Sequence, residues 1–342
     1  MSVAVMRPVQ EEDFEQIYQL ALKTGGGMTN LPMDKKALRT RIDFTLDCFS
    51  RTPSGPGGEV YMLVLEKDGA VLGTSAIFAS IGEQSGFVNY RINTMFHFSE
   101  QLGKRISRRL LVPTHDFTEA AEVGSLFIAP EARKGGYGKL MARSRYMFIA
   151  QSPEIIADRI CAELRGWRAE NGGQPFWEAV GRHFFDMEFE AADQHNSIAG
   201  NQFIADLMPI YPLYVALLPE DARACIGKPH KNSLIAYNML LEEGFTDNGY
   251  IDVFDAGPLV NAKTSELRTV TQSMIRTVKL VDKHSDIASN KQENLLIANG
   301  KRDTYRCIRA NVGLCNDYIY ISRDEALALQ CDDGSSLRCA AA

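Results

Sequence analysis

The chain has 342 residues, a net charge of −6, 45% hydrophobic and 23% charged residues. That is an ordinary globular composition with enough length for a large core and more than one compact unit, and its acidic balance excludes a general binder of nucleic acid or anionic membrane. Seven scattered cysteines with no C-x-x-C, a start (MSVAVMRP) without a basic stretch leading into an apolar one, and no apolar run approaching membrane-spanning length predict a cytoplasmic protein without a disulfide framework, signal peptide or membrane span.

Val3 to Arg7 reads as a short strand stopped at Pro8, which cannot donate to a continuing ladder. Glu11, Glu12 and Asp13 suit a helix N-terminus, and Phe14, Ile17, Tyr18 and Ala21 give that helix one apolar face. Thr24-Gly25-Gly26-Gly27 breaks it, and Asp34 is placed to cap a second helix that buries Leu38, Ile42, Leu46 and Phe49. After a loop at 51–58, Val60–Leu65 and Ala70–Phe78 read as a hairpin around Asp68-Gly69. The long polar region 80–120 reads either as a substrate wall or as a surface hairpin with solvated charges.

Glu122 to Ile149 then reads as strand, glycine turn, helix. Val123 to Ile128 is a short apolar run ended by Pro130, and from Leu140 the spacing turns helical, with Leu140, Ser144, Met147 and Phe148 on one face. Between them Arg133-Lys134-Gly135-Gly136-Tyr137-Gly138 spells R-x-x-G-x-G. Glycines permit close approach of a ligand, and the following helix aims free N–H groups and its positive dipole end at the turn, a seat for pyrophosphate. A P-loop fails because Leu140 follows Gly138-Lys139, and a dinucleotide fingerprint fails because Met141 stands where the third glycine belongs.

Arg159–Leu164 reads as the next strand, and Pro175–Phe189 as a helix followed by a strand, with His183 a packing residue. Ser233–Phe254 repeats that helix–strand theme, with Leu234, Asn238 and Leu241 on one helix face before Gly244-Phe245. Residues 260–321 turn rich in Thr, Val, Ile and Tyr; Asn299-Gly300 signals a hairpin, Asp317–Ser322 a strand, and Ser322 with Glu325 a capping box for a helix through Leu329. The expected organisation is one domain over 1–255, holding the turn at 122–149 and a second closing unit at 175–255, and a β-rich, barrel-like subdomain over 256–342. Cys307, Cys315, Cys331 and Cys339 are too irregularly spaced for zinc, no H-x-x-E-H occurs, and no metal is expected.

The turn and the order of elements around it resemble motif A of the GNAT superfamily of CoA-dependent N-acyltransferases, in which loop amides hold the CoA pyrophosphate and the preceding strand splays. The resemblance implies an α/β (α+β) GNAT-like fold with an elaborated second half. MRPVQEEDFEQI (6–17), TGGGMTNLPMD (24–34), GSLFIAPEAR (124–133), PFWEAVGRHFFDMEF (175–189), FIADLMPIYPLYVALLP (203–219), IGKPH (226–230) and EEGFTDNGYIDVFDAGP (242–258) further resemble, in order, the arginine N-succinyltransferases of bacterial arginine catabolism. That likeness implies transfer of succinyl from succinyl-CoA, a co-substrate and not a tightly bound cofactor, to the α-amino group of L-arginine. It implies His230 as proton donor, Leu126, Arg133, Gly136 and Gly138 at the CoA site, and an oligomer of identical or related subunits. The chain departs from the family where His230-Lys231-Asn232-Ser233-Leu234-Ile235-Ala236 lacks two usual prolines and where Gly124 replaces a usual cysteine, which leaves two alternatives: a paralogue acylating ornithine or another amine, or a CoA-binding partner subunit with little activity alone.

Both substrates carry charge that a pocket must meet. A succinyl carboxylate calls for Arg91 or Arg165, and a guanidinium for Glu163 or Asp116. Lys228 and Lys231 flank His230 and are expected to lower its pKa.

Overall fold

Asp68 and Gly69 both take positive φ, 53° and 76°, and strands Val60–Lys67 and Ala70–Phe78 pair antiparallel on either side of them. This is the two-residue turn whose twist matches that of its strands. A computed structural model describes residues 3–25, 28–169, 172–200, 202–282 and 292–342. They fall into two units: residues 1–80, 121–158 and 263–342 form the first, and residues 81–120 and 159–262 the second.

In the first unit an antiparallel run joins Val5–Pro8, Val60–Lys67, Ala70–Phe78 and Ala121–Ile128. Helix Phe14–Leu22 and helix Lys35–Ser50 bury Ile17, Leu20, Leu38 and Ile42 against Met62 and Val64 of the sheet. Asp34 caps the second helix as expected, accepting the Ala37 N–H at 2.8 Å. This order of elements is the GNAT-like order anticipated from the sequence.

The C-terminal part of the same unit is a closed five-stranded barrel. Gln292–Ala298 pairs with Cys307–Cys315, that strand with Tyr318–Ser322, then Met274–Val281, then Ser336–Ala341, which returns to the first. Closure leaves no open edge, and the interior is filled by Val278, Ile297, Ile308, Ile319 and Leu337. The capping box forms, with the Ser322 N–H donating to the Glu325 carboxylate at 2.8 Å. Helix Tyr137–Gln151 is buried nearly all round because the barrel covers one side of it: the Tyr305 hydroxyl donates to the Ser144 carbonyl at 2.7 Å.

In the second unit region 80–120 is a hairpin of two 11-residue strands, Asn89–Ser99 and Lys104–Thr114. Its distal part, from Asn93 through Phe98 and from Lys104 through Arg109, is exposed. Thr246–Ile251 pairs with Pro258–Lys263. The core centres on Trp177, stacked on Phe185 and on Phe254 with centroids 5.4 Å away in each case.

Two expectations fail here. No strand follows the helical turns from Trp177 to Phe185; helix Phe189–Ala199 does. Phe185 and Phe189 both pack on Trp177, whose indole N–H donates to the Met187 carbonyl at 3.1 Å, so the aromatic run fills a helical corner instead of a sheet face. For the same reason His183 points outward and is exposed, not packed. Helix Leu234–Glu243 followed by strand Thr246–Ile251 does appear, though Leu234 and Leu241 lie exposed.

Candidate active site

The glycine turn in the first unit is built for a close ligand. Residues Pro130–Gly135 make a 3-10 turn, and Gly136 then takes φ 69° and ψ 15° as the N-cap of helix Tyr137–Gln151. Only glycine adopts that conformation without strain. The first helical N–H groups, those of Tyr137 and Gly138 among them, lack intrahelical acceptors and carry the positive end of the dipole. A Cβ placed on Gly138 would meet nothing within 4 Å, so its approach is open. Arg133, within the turn, is exposed. Arg309, from the barrel, donates to the Gly136 carbonyl at 3.3 Å and adds a second guanidinium at the turn.

The strand leading into the turn is irregular. Thr74 pairs with Phe127 and Ala76 with Gly124, so Ser125 and Leu126 together oppose Ser75, a β-bulge. Ser125 has φ 52°, held by its hydroxyl donating to the Asn30 carbonyl at 2.9 Å and by Thr74 Oγ1 donating to its own carbonyl at 3.0 Å. Such strain in a non-glycine residue persists only where the surroundings over-determine it. Glu122 lies at the start of this strand, buried, accepting from the Asn30 amide at 3.3 Å. Burial pushes its carboxyl up to about 7, against the opposing pull of Arg41 and Asn30.

In the second unit His230 is held by main-chain bonds. Gly227, at φ 73°, donates to the Ala256 carbonyl at 2.9 Å, and the Trp167 N–H donates to the Lys228 carbonyl at 2.9 Å. Pro229 pairs with Gly166, and the His230 N–H donates to the Arg165 carbonyl at 2.7 Å. The imidazole Nδ1 accepts the Asn232 N–H at 3.1 Å, so the neutral ring carries its proton on Nε2. Burial, then Arg165, Arg168 and Lys231, hold the pKa of His230 below the usual imidazole value, keeping the ring neutral at physiological pH. Lys231 acts as the sequence suggested, and two arginines outweigh it.

The family model for the arginine N-succinyltransferase beta subunit matches residues 4–269, and that for the C-terminal domain of the same subunit matches residues 276–341. The chain is 37% identical to the arginine N-succinyltransferase of Yersinia pestis (strain Pestoides F), covering 97% of this chain and 96% of that one. It is also 37% identical to the arginine N-succinyltransferase subunit beta of Pseudomonas aeruginosa, over 98% and 97% of the two chains. The chain belongs to the arginine N-succinyltransferase family. The solved structure of the arginine/ornithine succinyltransferase subunit AI from Pseudomonas aeruginosa superposes with a TM-score of 0.88 at 33% identity, covering 100% of this chain and 99% of that one. Members of this family are acyltransferases.

The remaining candidates sort by their neighbours. Arg91 stands 4.0 Å from Asp116, which also accepts from the Tyr250 hydroxyl at 2.7 Å, so these two neutralise each other. Glu163 accepts from the Asn89 amide at 3.0 Å. Arg165 is the carboxylate candidate that lies beside His230; burial and Arg168 lower its pKa, and Asp193 and Asp255 offset part of that. Among the described residues no group of three or more His, Cys, Asp or Glu is placed to hold a metal, and no helix is long and apolar enough to cross a membrane. Sequence reasoning missed Glu122 and Arg309. Glu122 begins the stretch singled out above, and its carboxylate in an apolar strand was the available signal; Arg309 is remote in sequence and gave none.

Proposed function

We propose that this chain transfers the succinyl group of succinyl-CoA to the α-amino group of L-arginine, releasing CoA and N2-succinylarginine, and that it does so in the cytoplasm as the first step of arginine breakdown. The match over nearly the whole chain to proteins of that name carries the reading; the preserved turn of Arg133, Gly136 and Gly138 supports it. Leu126 and the turn amides hold the co-substrate, and Arg309 adds charge against its pyrophosphate. The working form is an oligomer of identical or related subunits.

The chemistry follows from charge. The substrate ammonium must lose a proton before its nitrogen can attack, and Glu122, titrating near neutrality, is matched to take it. The nitrogen then bonds to the thioester carbon, and the resulting oxyanion needs N–H donors of the kind a bulged strand presents at Leu126. As the C–S bond breaks, the nitrogen sheds its second proton and one proton ends on sulfur. His230, whose neutral ring carries its proton on Nε2, is assigned the role of donor to the leaving sulfur. Arg165 serves the succinyl carboxylate, which distinguishes this donor from an uncharged acyl group. The test is a thiol-release assay across acyl-CoA donors and amino acids: succinyl-CoA with arginine should be the best pair, and preference for acetyl-CoA would overturn the reading.

A further inference from the structure

The second unit contains a carboxylate pair that the mechanism above does not use. Asp255 is buried, and each of its oxygens takes a main-chain N–H: Oδ2 accepts from Gly166 at 2.7 Å and Oδ1 from Gly257 at 2.8 Å. Asp252 Oδ1 accepts from the N–H groups of Phe254 at 2.7 Å and Asp255 at 2.9 Å. Each carboxyl group shifts the ionisation of the other.

Two like carboxylates in contact cannot both ionise cheaply, so one proton is shared. Burial and the Asp255 charge push Asp252 up to about 8, which makes Asp252 the holder of the proton. Burial raises Asp255 as well, but its N–H donors are spread over both oxygens and favour its ionised form, whereas Asp252 takes both of its N–H donors on Oδ1 and leaves Oδ2 for the proton.

The same segment is the floor under His230. Gly166, fixed by Asp255, pairs with Pro229, and its neighbour Arg165 accepts the His230 N–H. On the other side Ala256, next to Asp255, accepts from Gly227. The packing leaves no slack: a Cβ on Gly257 would lie 2.0 Å from the Leu164 carbonyl, and one on Gly166 would lie 2.4 Å from the Asp255 carbonyl. We propose that Asp255, with Asp252 as its proton-holding partner, is the positioning residue that fixes the His230 turn through Gly166 and Gly257.

The proposal rests on the reading of His230 as the acid-side group and separates two variants that look alike. A carboxamide at 252 can keep Oδ1 for its two N–H donors and offer NH2 where the acid offers O–H. A carboxamide at 255 must turn NH2 against the N–H of Gly166 or Gly257. Asp252→Asn should therefore stay within about 3-fold of the parent kcat, whereas Asp255→Asn should lose about 10-fold or more in kcat with little change in KM for succinyl-CoA.

The readout independent of rate is the His230 imidazole titration followed by NMR in the full chain, assigned by its absence in His230→Gln. Asp255 raises the His230 pKa while Arg165, Arg168 and Lys231 lower it, so the resonance should titrate at lower pH in Asp255→Asn and move little in Asp252→Asn. Asp255→Asn with parent kcat and parent titration overturns the proposal, as does an Asp252→Asn defect equal to that of Asp255→Asn. Should Asp255→Asn not fold, carboxyl titration of the parent decides: one aspartate holding its proton into the neutral range supports the shared proton, and both ionising as ordinary acids overturns it. An active His230→Ala would instead defeat the catalytic reading, and the shifted imidazole titration would still support the positioning role.

Discussion

The main-chain N–H of His230 donates to the carbonyl of Arg165 at 2.7 Å. That bond ties the His230 turn to the segment that carries Arg165, a half-buried guanidinium whose charge acts on the neutral imidazole. The His230 pKa falls first through burial and then because the Arg165 charge disfavours a second positive charge near it.

His230→Ala should preserve the fold and the affinity for CoA and lower kcat by roughly 10²- to 10³-fold, the range for one placed donor or acid–base group. In the parent, protonation of the ring at acid pH must break the contact between Nδ1 and Asn232, so the rate should fall there. Because the pKa is depressed, that step should lie below the ordinary imidazole range, as a second fall beneath the limb that Glu122 sets near neutrality. Steady-state kinetics across pH check both; turnover within a few-fold of the parent would make His230 a bystander.

Gly136 and Gly138 differ in what a side chain would meet. Gly136 has positive φ and a Cβ there would come 3.4 Å from Arg309, so a side chain would strain the backbone as well as crowd the site. Gly138 is helical with open space above it. Gly138→Val should therefore leave thermal stability nearly unchanged and weaken succinyl-CoA binding by about 10-fold or more in calorimetric titration. Unchanged affinity would remove the turn from the CoA site.

Arg309→Ala should weaken succinyl-CoA binding about 3- to 10-fold, modest because the guanidinium is exposed. The effect should vanish with succinyl-pantetheine, which has no pyrophosphate. An equal loss with both donors would mean that Arg309 acts through the barrel and not through the phosphates.

Glu122→Gln keeps the shape and an acceptor for Asn30 and removes the ionisation near neutrality. If Glu122 takes the ammonium proton, kcat/KM should fall about 10²-fold and lose the ionisation it contributes to the acid limb. A parent-like pH profile in the variant would mark Glu122 as a structural partner of Asn30 and Arg41.

Local chemistry explains what the sequence made legible. Asp34, Asp68-Gly69 and the Ser322–Glu325 box each act within a few residues, so their caps and turn could be read directly. The composition after residue 260, rich in Thr, Val, Ile and Tyr, likewise matched a barrel. The Pro175–Phe189 segment misled because its aromatics answer to Trp177 and Phe254, contacts set by tertiary packing. Among the candidate residues, Gly136 and His230 carried motifs. Ser125 carried none, since its positive φ is imposed by Asn30 and Thr74, and Arg309 reaches the turn from 173 residues away in sequence.

The measurement that tests the central claim most directly is mass spectrometry of the product formed by the purified chain from succinyl-CoA and L-arginine, with fragmentation to locate the acyl group and ornithine as the competing amine. The account predicts arginine heavier by one succinyl group on its α-nitrogen, formed in step with free CoA. Succinylation of ornithine alone, or CoA release with no acylated arginine, would contradict it.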